Sequence, residues 1–148
     1  MRIYLVRHGE AKAETEDPAR PLTDRGRAEV ERVARVAAGR DATVAEIWHS
    51  GLLRARQTAE ILASCLGPAR VVREVYGLRP TDDPEVARAE CDLATEPVML
   101  VGHLPHLGRL AGTLVRGHPD REPVELEPGA MLCLSRSERG WEIEWLID

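Results

Sequence analysis

Two short apolar runs, Ile3 to Val6 and Val98 to Val101, each stop abruptly at a histidine beside a glycine. The first runs into Arg7-His8-Gly9 and the second into Gly102-His103. A short, continuously apolar run bounded by turn residues reads as a strand buried on both faces. Such a strand needs a covering layer on each side, which confines the chain to layered α/β architectures. Ligands of these sheets collect outside the carboxyl ends of the parallel strands. Arg7, His8 and His103 are therefore candidates for a site before the rest is read.

The rest of the chain supplies the layers. Thr23 is a natural N-cap, and a helix is expected from Asp24 to Ala38, with Val30, Val33, Ala34 and Ala37 on one face. Gly39 is expected just past its end. Gly26, unfavourable in the first turn, points to close packing near the site. A second strand, Ala45 to His49, leads to Ser50, the expected cap of a helix from Leu52 to Leu66 that ends at Gly67-Pro68. A third strand, Arg70 to Val75, is followed by an irregular stretch from Tyr76 to Asp82. Asp83-Pro84 opens a short helix to about Ala94. After the fourth strand, Leu107, Leu110, Ala111, Leu114 and Val115 mark a helix reaching about Arg116. A long loop, Gly117 to Gly129, precedes strands Ala130 to Leu134 and Trp141 to Ile147, expected as an antiparallel hairpin at the sheet edge. Strands alternating with amphipathic helices predict an α/β fold with a mostly parallel sheet covered on both faces. No linker or repeat divides the chain, so residues 1–148 are expected to form one domain.

The apolar runs are too short to span a bilayer. The chain enters a strand within two residues, leaving no room for a signal peptide, so a cytoplasmic protein is expected. Cys65, Cys91 and Cys133 are widely spaced, which suits buried reduced thiols rather than a disulfide framework. The net charge of −5 argues against a nucleic-acid surface. An acidic chain that binds an anion must gather its positive charge locally. Here the strand ends bring together Arg7, His8, His103 and, one turn into the second helix, Arg54; Arg20 precedes the first helix. Guanidinium forks and helix N-termini match phosphate oxygens. The carboxylate and histidine clusters of a metallophosphatase, the P-loop motif and a strand-end cysteine are all missing from the sequence. Histidine can itself be the nucleophile.

Arg7-His8-Gly9 after the first strand, Ser50-Gly-Leu-Leu-Arg54-Ala-Arg-Gln57-Thr58-Ala59, and Val101-Gly102-His103 resemble the three motifs of the histidine phosphatase (phosphoglycerate mutase-like) superfamily. Pro21-Leu22-Thr23-x-x-Gly26 is similar to a further family element. The small size, Arg20-Pro21-Leu22-Thr23, Leu53-Arg54-Ala55 and His103-Leu104-Pro105 resemble the SixA branch, the phosphohistidine phosphatases. The resemblance implies a three-layer α/β/α sandwich around one mixed sheet.

It also implies a mechanism. His8 attacks phosphorus and forms a phosphohistidine, while Arg7, Arg54 and His103 hold the phosphoryl oxygens. Water then releases phosphate. Gly9, Arg20 and Ser50 are the expected substrate contacts, with no metal or organic cofactor. His49 is expected to pack, His106 to face solvent despite the His103-x-x-His106 spacing, and His118 to lie in a loop. Many superfamily phosphomonoesterases place a glutamate after the third strand as proton donor; here Gly77 stands at that place. Glu74, Asp82 or Asp83 could substitute. An already activated P–N bond depends less on an acid, and the short link between residues 66 and 98 leaves no sizeable lid. Both features favour a phosphohistidine in a phosphotransfer protein as substrate. A small phosphomonoester is the alternative. A phosphate- or phosphoprotein-docking module without turnover is the alternative of another class.

Overall fold

A computed structural model describes residues 1–67 and 71–148. Its elements in chain order are β1 (Arg2–Arg7), α1 (Asp24–Ala38), β2 (Glu46–His49), α2 (Leu53–Cys65), β3 (Val71–Glu74), α3 (Pro84–Leu93), β4 (Val98–Gly102), α4 (His106–Arg116), β5 (Met131–Ser137) and β6 (Gly140–Ile147). They form one six-stranded sheet in the order β3-β2-β4-β1-β5-β6. The neighbours β3, β2, β4 and β1 run parallel, while β5 and β6 form the antiparallel edge hairpin.

Alternation along the central strands divides the interior in two. Ile3, Leu5, Val98 and Leu100 face a core built with Ala87 and Cys91 of α3 and Leu107, Leu110 and Leu114 of α4. Tyr4, Val6, Met99 and Val101 face the opposite core, with Val30, Val33 and Ala37 of α1 and Ala55, Ala59 and Leu62 of α2. This is the α/β/α sandwich. Its handedness follows from the strand order. The crossovers β1-α1-β2 and β2-α2-β3 move toward one edge, and β3-α3-β4 moves back. A right-handed crossover in the reverse direction must lie on the other face. Chain leaving β1 and chain leaving β4 therefore part over opposite faces, and a crevice opens at the carboxyl ends of these two adjacent strands.

Local capping follows the sequence in most places. Thr23 Oγ1 accepts the Gly26 N–H at 2.9 Å, and Asp83 Oδ1 accepts that of Glu85 at 3.0 Å with Pro84 in the first turn. Four expectations need correction. Gly39 keeps a helical φ of −67°, and the left-handed residue that turns the chain is Asp41, at φ +57°. Ser50 does not cap α2. Leu52 holds the N-cap position without a side-chain bond, while the Ser50 hydroxyl accepts the Leu52 N–H at 3.3 Å and meets His103 Nε2 on the neighbouring strand end. Strand β5 continues to Ser137, which pairs with Gly140, so the hairpin turn is tighter than expected. His106 is buried at 1% exposure rather than facing solvent. Its N–H donates to Pro80 O at 3.1 Å, which seats the start of α4 beneath the segment leading into α3. The expected helix stop at Pro68 and strand start at Arg70 lie outside the described residues; Gly67, at φ +85°, turns the chain after α2 as expected.

Candidate active site

The carboxyl end of β1 is held on both sides. Arg7 N–H donates to Ala130 O at 3.1 Å and His8 N–H to Gly102 O at 3.0 Å. His8 Nδ1 lies 2.7 Å from Gly9 O. A carbonyl oxygen accepts and cannot donate, so this contact requires the proton on Nδ1. Nε2 is left with a free lone pair. Burial pushes the His8 pKa down to about 4, and the charges of Arg54, Arg7 and Arg20 add to this against the favourable Gly9 bond. The imidazole is therefore neutral at pH 7, in the tautomer a nucleophile needs.

Gly9 is crowded by design of the packing around it. A Cβ there would lie 2.8 Å from Val30 Cγ2, and one on Gly26 would run into the Glu10 backbone. Two glycines thus let the first turn of α1 pack directly on the segment after the histidine, as the oddly placed Gly26 suggests. The Gly9 N–H donates to Thr58 Oγ1 at 3.1 Å, and the Thr58 hydroxyl donates to Arg54 O at 2.8 Å. Thr58 therefore ties the loop that follows His8 to the helix that carries Arg54.

The cations close around His8. Arg7 Nη1 donates to Leu126 O at 2.9 Å, so the long loop before β5 braces this guanidinium. Burial lowers the pKa of both Arg7 and Arg54, though each remains charged. Arg20 sits at φ +49°, unusual for a side-chain-bearing residue, and its Nε donates to Lys12 O at 3.1 Å. Gln57 Oε1 accepts the Leu22 N–H at 2.8 Å and pins this loop to α2. The Arg20 charge acts on His8, Arg54 and His103 alike. His103, 1% exposed, stacks at a tilt with its ring centroid 5.0 Å from that of His8. Its pKa is pushed down to about 3, by burial first and then by His8, Arg54, His106 and Arg20. Its Nε2 lies 2.6 Å from Ser50 Oγ. Arg7 Nε, Arg54 Nε and His103 Nδ1 are buried without a hydrogen-bond partner. The two guanidinium Nε–H groups among them are donors that an oxyanion can satisfy.

The sequence profile of the histidine phosphatase superfamily (branch 1) matches residues 3–80, more than half the chain. The chain belongs to this superfamily. An uncharacterised protein of Picosynechococcus sp. (strain PCC 7002) is 37% identical over 123 residues, covering 79% of this chain and 74% of its own. The structure of the protein histidine phosphatase SixA complexed with tungstate covers 100% of this chain and 97% of its own, at 26% identity and a TM-score of 0.86. The α-ribazole phosphatase from Shigella flexneri shares the fold, at 17% identity, 99% and 96% coverage and a TM-score of 0.77. The fold is thus that of a SixA-like histidine phosphatase, and enzymes of the superfamily hydrolyse phosphoesters.

A cavity of about 420 Å³ has Ser50 on its wall, and the Ser50 hydroxyl links it to His103. Glu74, Tyr76, Gly77, Arg79 and Asp82 also line it. Two of the three carboxylates considered as acids thus reach the cleft. Asp82 Oδ2 accepts the Arg79 N–H at 2.9 Å, while the Glu74 carboxylate lies over Gly51. Asp83 is committed to capping α3. Gly77 has φ +94°. His49 packs as expected: it is buried, and its Nδ1 accepts the Gly51 N–H at 3.1 Å. His118 is in an exposed loop. No group of three or more His, Cys, Asp or Glu that could hold a metal occurs among the described residues, and no helix there is long and apolar enough to cross a membrane. The supporting roles of Thr58, Gln57 and Leu126 were not predicted. The first two stand inside the motif around Arg54, whereas the contribution of Leu126 is a backbone carbonyl that no residue type announces.

Proposed function

We propose that this chain is a phosphatase that removes the phosphoryl group from phosphohistidine in a partner protein, through a phosphohistidine on its own His8. The observation that carries the reading is the His8 Nδ1–H bond to Gly9 O, which frees Nε2 inside a cluster of cations. In the first step the Nε2 lone pair forms a bond to phosphorus as the substrate's P–N bond breaks. The leaving ring departs as neutral imidazole once its other nitrogen carries a proton. Arg7 and Arg54 neutralise the phosphoryl oxygens, the uncharged His103 gives them a hydrogen bond, and Arg20 adds charge at the same place. In the second step water attacks phosphorus, loses its proton to solvent, and the Nε2–P bond breaks to release inorganic phosphate. His8 keeps its Nδ1 proton throughout, so the Gly9 carbonyl stabilises the positive charge of the phosphorylated ring. Tungstate in the related SixA is a tetrahedral oxyanion, which fits a pocket of this composition. The open cleft beside Ser50 and the short connection from α2 to β4 suit a protein substrate better than an enclosed metabolite.

The Glu74 carboxylate in that cleft favours a second reading, a phosphatase for a small phosphomonoester, because an alkoxide leaving group needs a proton. A paired assay separates the two. The chain and its His8→Ala variant are given a phosphohistidine-bearing phosphotransfer protein and a panel of phosphomonoesters, with EDTA present. Loss of phosphohistidine that depends on His8 and survives EDTA, with little ester turnover, is the expected result. Fast ester turnover moves the function to metabolites. Phosphate binding with no turnover of either class leaves a docking module.

A further inference from the structure

Ser50 lies beside the pocket, and its hydroxyl is in a constrained position. The oxygen accepts the Leu52 N–H at 3.3 Å and sits 2.6 Å from His103 Nε2, with both side chains buried. The hydroxyl has one proton to give. Among the described residues no carbonyl or carboxylate takes it, and His103 Nε2 is the acceptor within reach. A hydroxyl that donates to Nε2 leaves the single proton of a neutral imidazole on Nδ1. His103 Nδ1 is buried and unpartnered, in the ring that stacks against His8.

We propose that Ser50 is a positioning residue that holds His103 in its Nδ1–H tautomer, so that a neutral ring presents a donor to the phosphoryl group arriving at His8. The proposal rests on the reading of His8 as the phosphoryl acceptor. Its chemistry is a matter of sign. Burial and the nearby cations keep His103 uncharged at neutral pH, so its usefulness to an anion depends on which nitrogen carries the proton. With the proton on Nε2, a lone pair on Nδ1 would face negative oxygens. With the proton on Nδ1, the same nitrogen donates to them. Ser50 decides between the two through its contact with Nε2. The next residue, Gly51, has φ +86°, and a Cβ there would collide with the Glu74 carboxylate.

The test is ¹⁵N NMR of the imidazoles in the full chain labelled at histidine, at pH 7, with His103 assigned through a His103→Gln variant. Protonated and bare ring nitrogens resonate far apart, so the tautomer is read directly. The expected spectrum has the His103 proton on Nδ1 in the wild-type chain and a shift toward the Nε2–H form in Ser50→Ala. The same variant is expected to lose about tenfold in kcat with little change in KM, less than the 10²–10³ lost when an oxyanion donor is deleted outright. A wild-type His103 protonated on Nε2 overturns the proposal, whatever Ser50→Ala does, as does an unchanged tautomer in a folded Ser50→Ala. The wild-type spectrum needs no turnover. A chain inert toward every phosphorylated substrate therefore overturns the phosphatase reading, while the spectrum still decides the tautomer.

Discussion

Replacing His8 by Asn should remove a measurable part of the chain's acid sensitivity. His8 has a pKa near 4 in the folded chain, held there chiefly by burial, against about 6.5 when unfolded. Between these values the unfolded state binds a proton that the folded state refuses. The folded state is therefore favoured less and less as pH falls from about 6.5 toward 4, and the slope vanishes outside that window. Each pH unit inside it removes about 1.4 kcal/mol, so at pH 5 His8 accounts for about 2 kcal/mol of lost stability relative to pH 7. His103 acts in the same sense and His49 and His106 have lowered pKa values too, so the wild-type loss is larger than the His8 share. The difference between wild type and His8→Asn isolates that share. Urea denaturation of both chains at pH 7 and pH 5 measures it, with identical slopes in urea as the control. The variant should lose about 2 kcal/mol less than the wild type on acidification. Phosphate should flatten the wild-type slope, because an anion among Arg7, Arg54 and Arg20 offsets the charges that help exclude the proton. Equal losses in both chains would refute the argument, because they would mean that His8 titrates normally and that its pocket is neither dry nor strongly positive.

Three further outcomes follow from the packing around the site. Gly26→Ala should destabilise the chain by about 1–3 kcal/mol in urea denaturation, although helix propensity alone would give a gain of about 1 kcal/mol, because the new methyl enters the Glu10 backbone. Thr58→Val keeps the shape but leaves the Gly9 N–H unpaired, so it should cost about 1–3 kcal/mol of stability and lower kcat with it. Glu74→Gln should separate substrate classes: P–N cleavage stays within about threefold of wild type, whereas any phosphomonoester turnover that uses this acid falls by about 10² or more.

The sequence carried most of this architecture for physical reasons that can be named. Thr23 and Asp83 cap helices through their own side chains, so a local rule was enough. Arg7, His8, Arg54 and His103 were legible because each stands at a strand end or in the first turn of a helix, and the topology brings those places to one rim. Ser50 misled because the same hydroxyl can cap a helix or reach across to His103, and its partner is 53 residues away. His106 misled for a related reason. Its helix is amphipathic, and the apolar stripe from Leu107 to Leu114 describes the face turned to the sheet. The burial of His106 comes from a different neighbour, the segment around Pro80, which has no periodicity to read. The Gln57 anchor on Leu22 was hidden in the same way: it joins an irregular loop to a helix through a backbone donor.

The histidines and arginines of the pocket share one energetic fact. Every one of Arg7, Arg54, His8 and His103 is shifted toward its uncharged form, and in each case burial is the leading cause. All four lose solvation, the nearby cations oppose charge on Arg54 and both histidines, and three of their buried ring or guanidinium nitrogens have no partner within the protein. A protein selected for stability alone would not keep such a cluster, since removing one cation would relieve the others. A phosphoryl dianion reverses each unfavourable contribution at once: it pairs the donors, screens the repulsion and replaces lost solvent. Under the proposed function, the charge that makes the pocket costly is also the charge that would bind the transition state, where the transferring phosphoryl group spreads its charge over equatorial oxygens. The neutral His8 fits the same proposal, because burial, with the neighbouring cations adding to it, keeps a proton off the nitrogen that would attack.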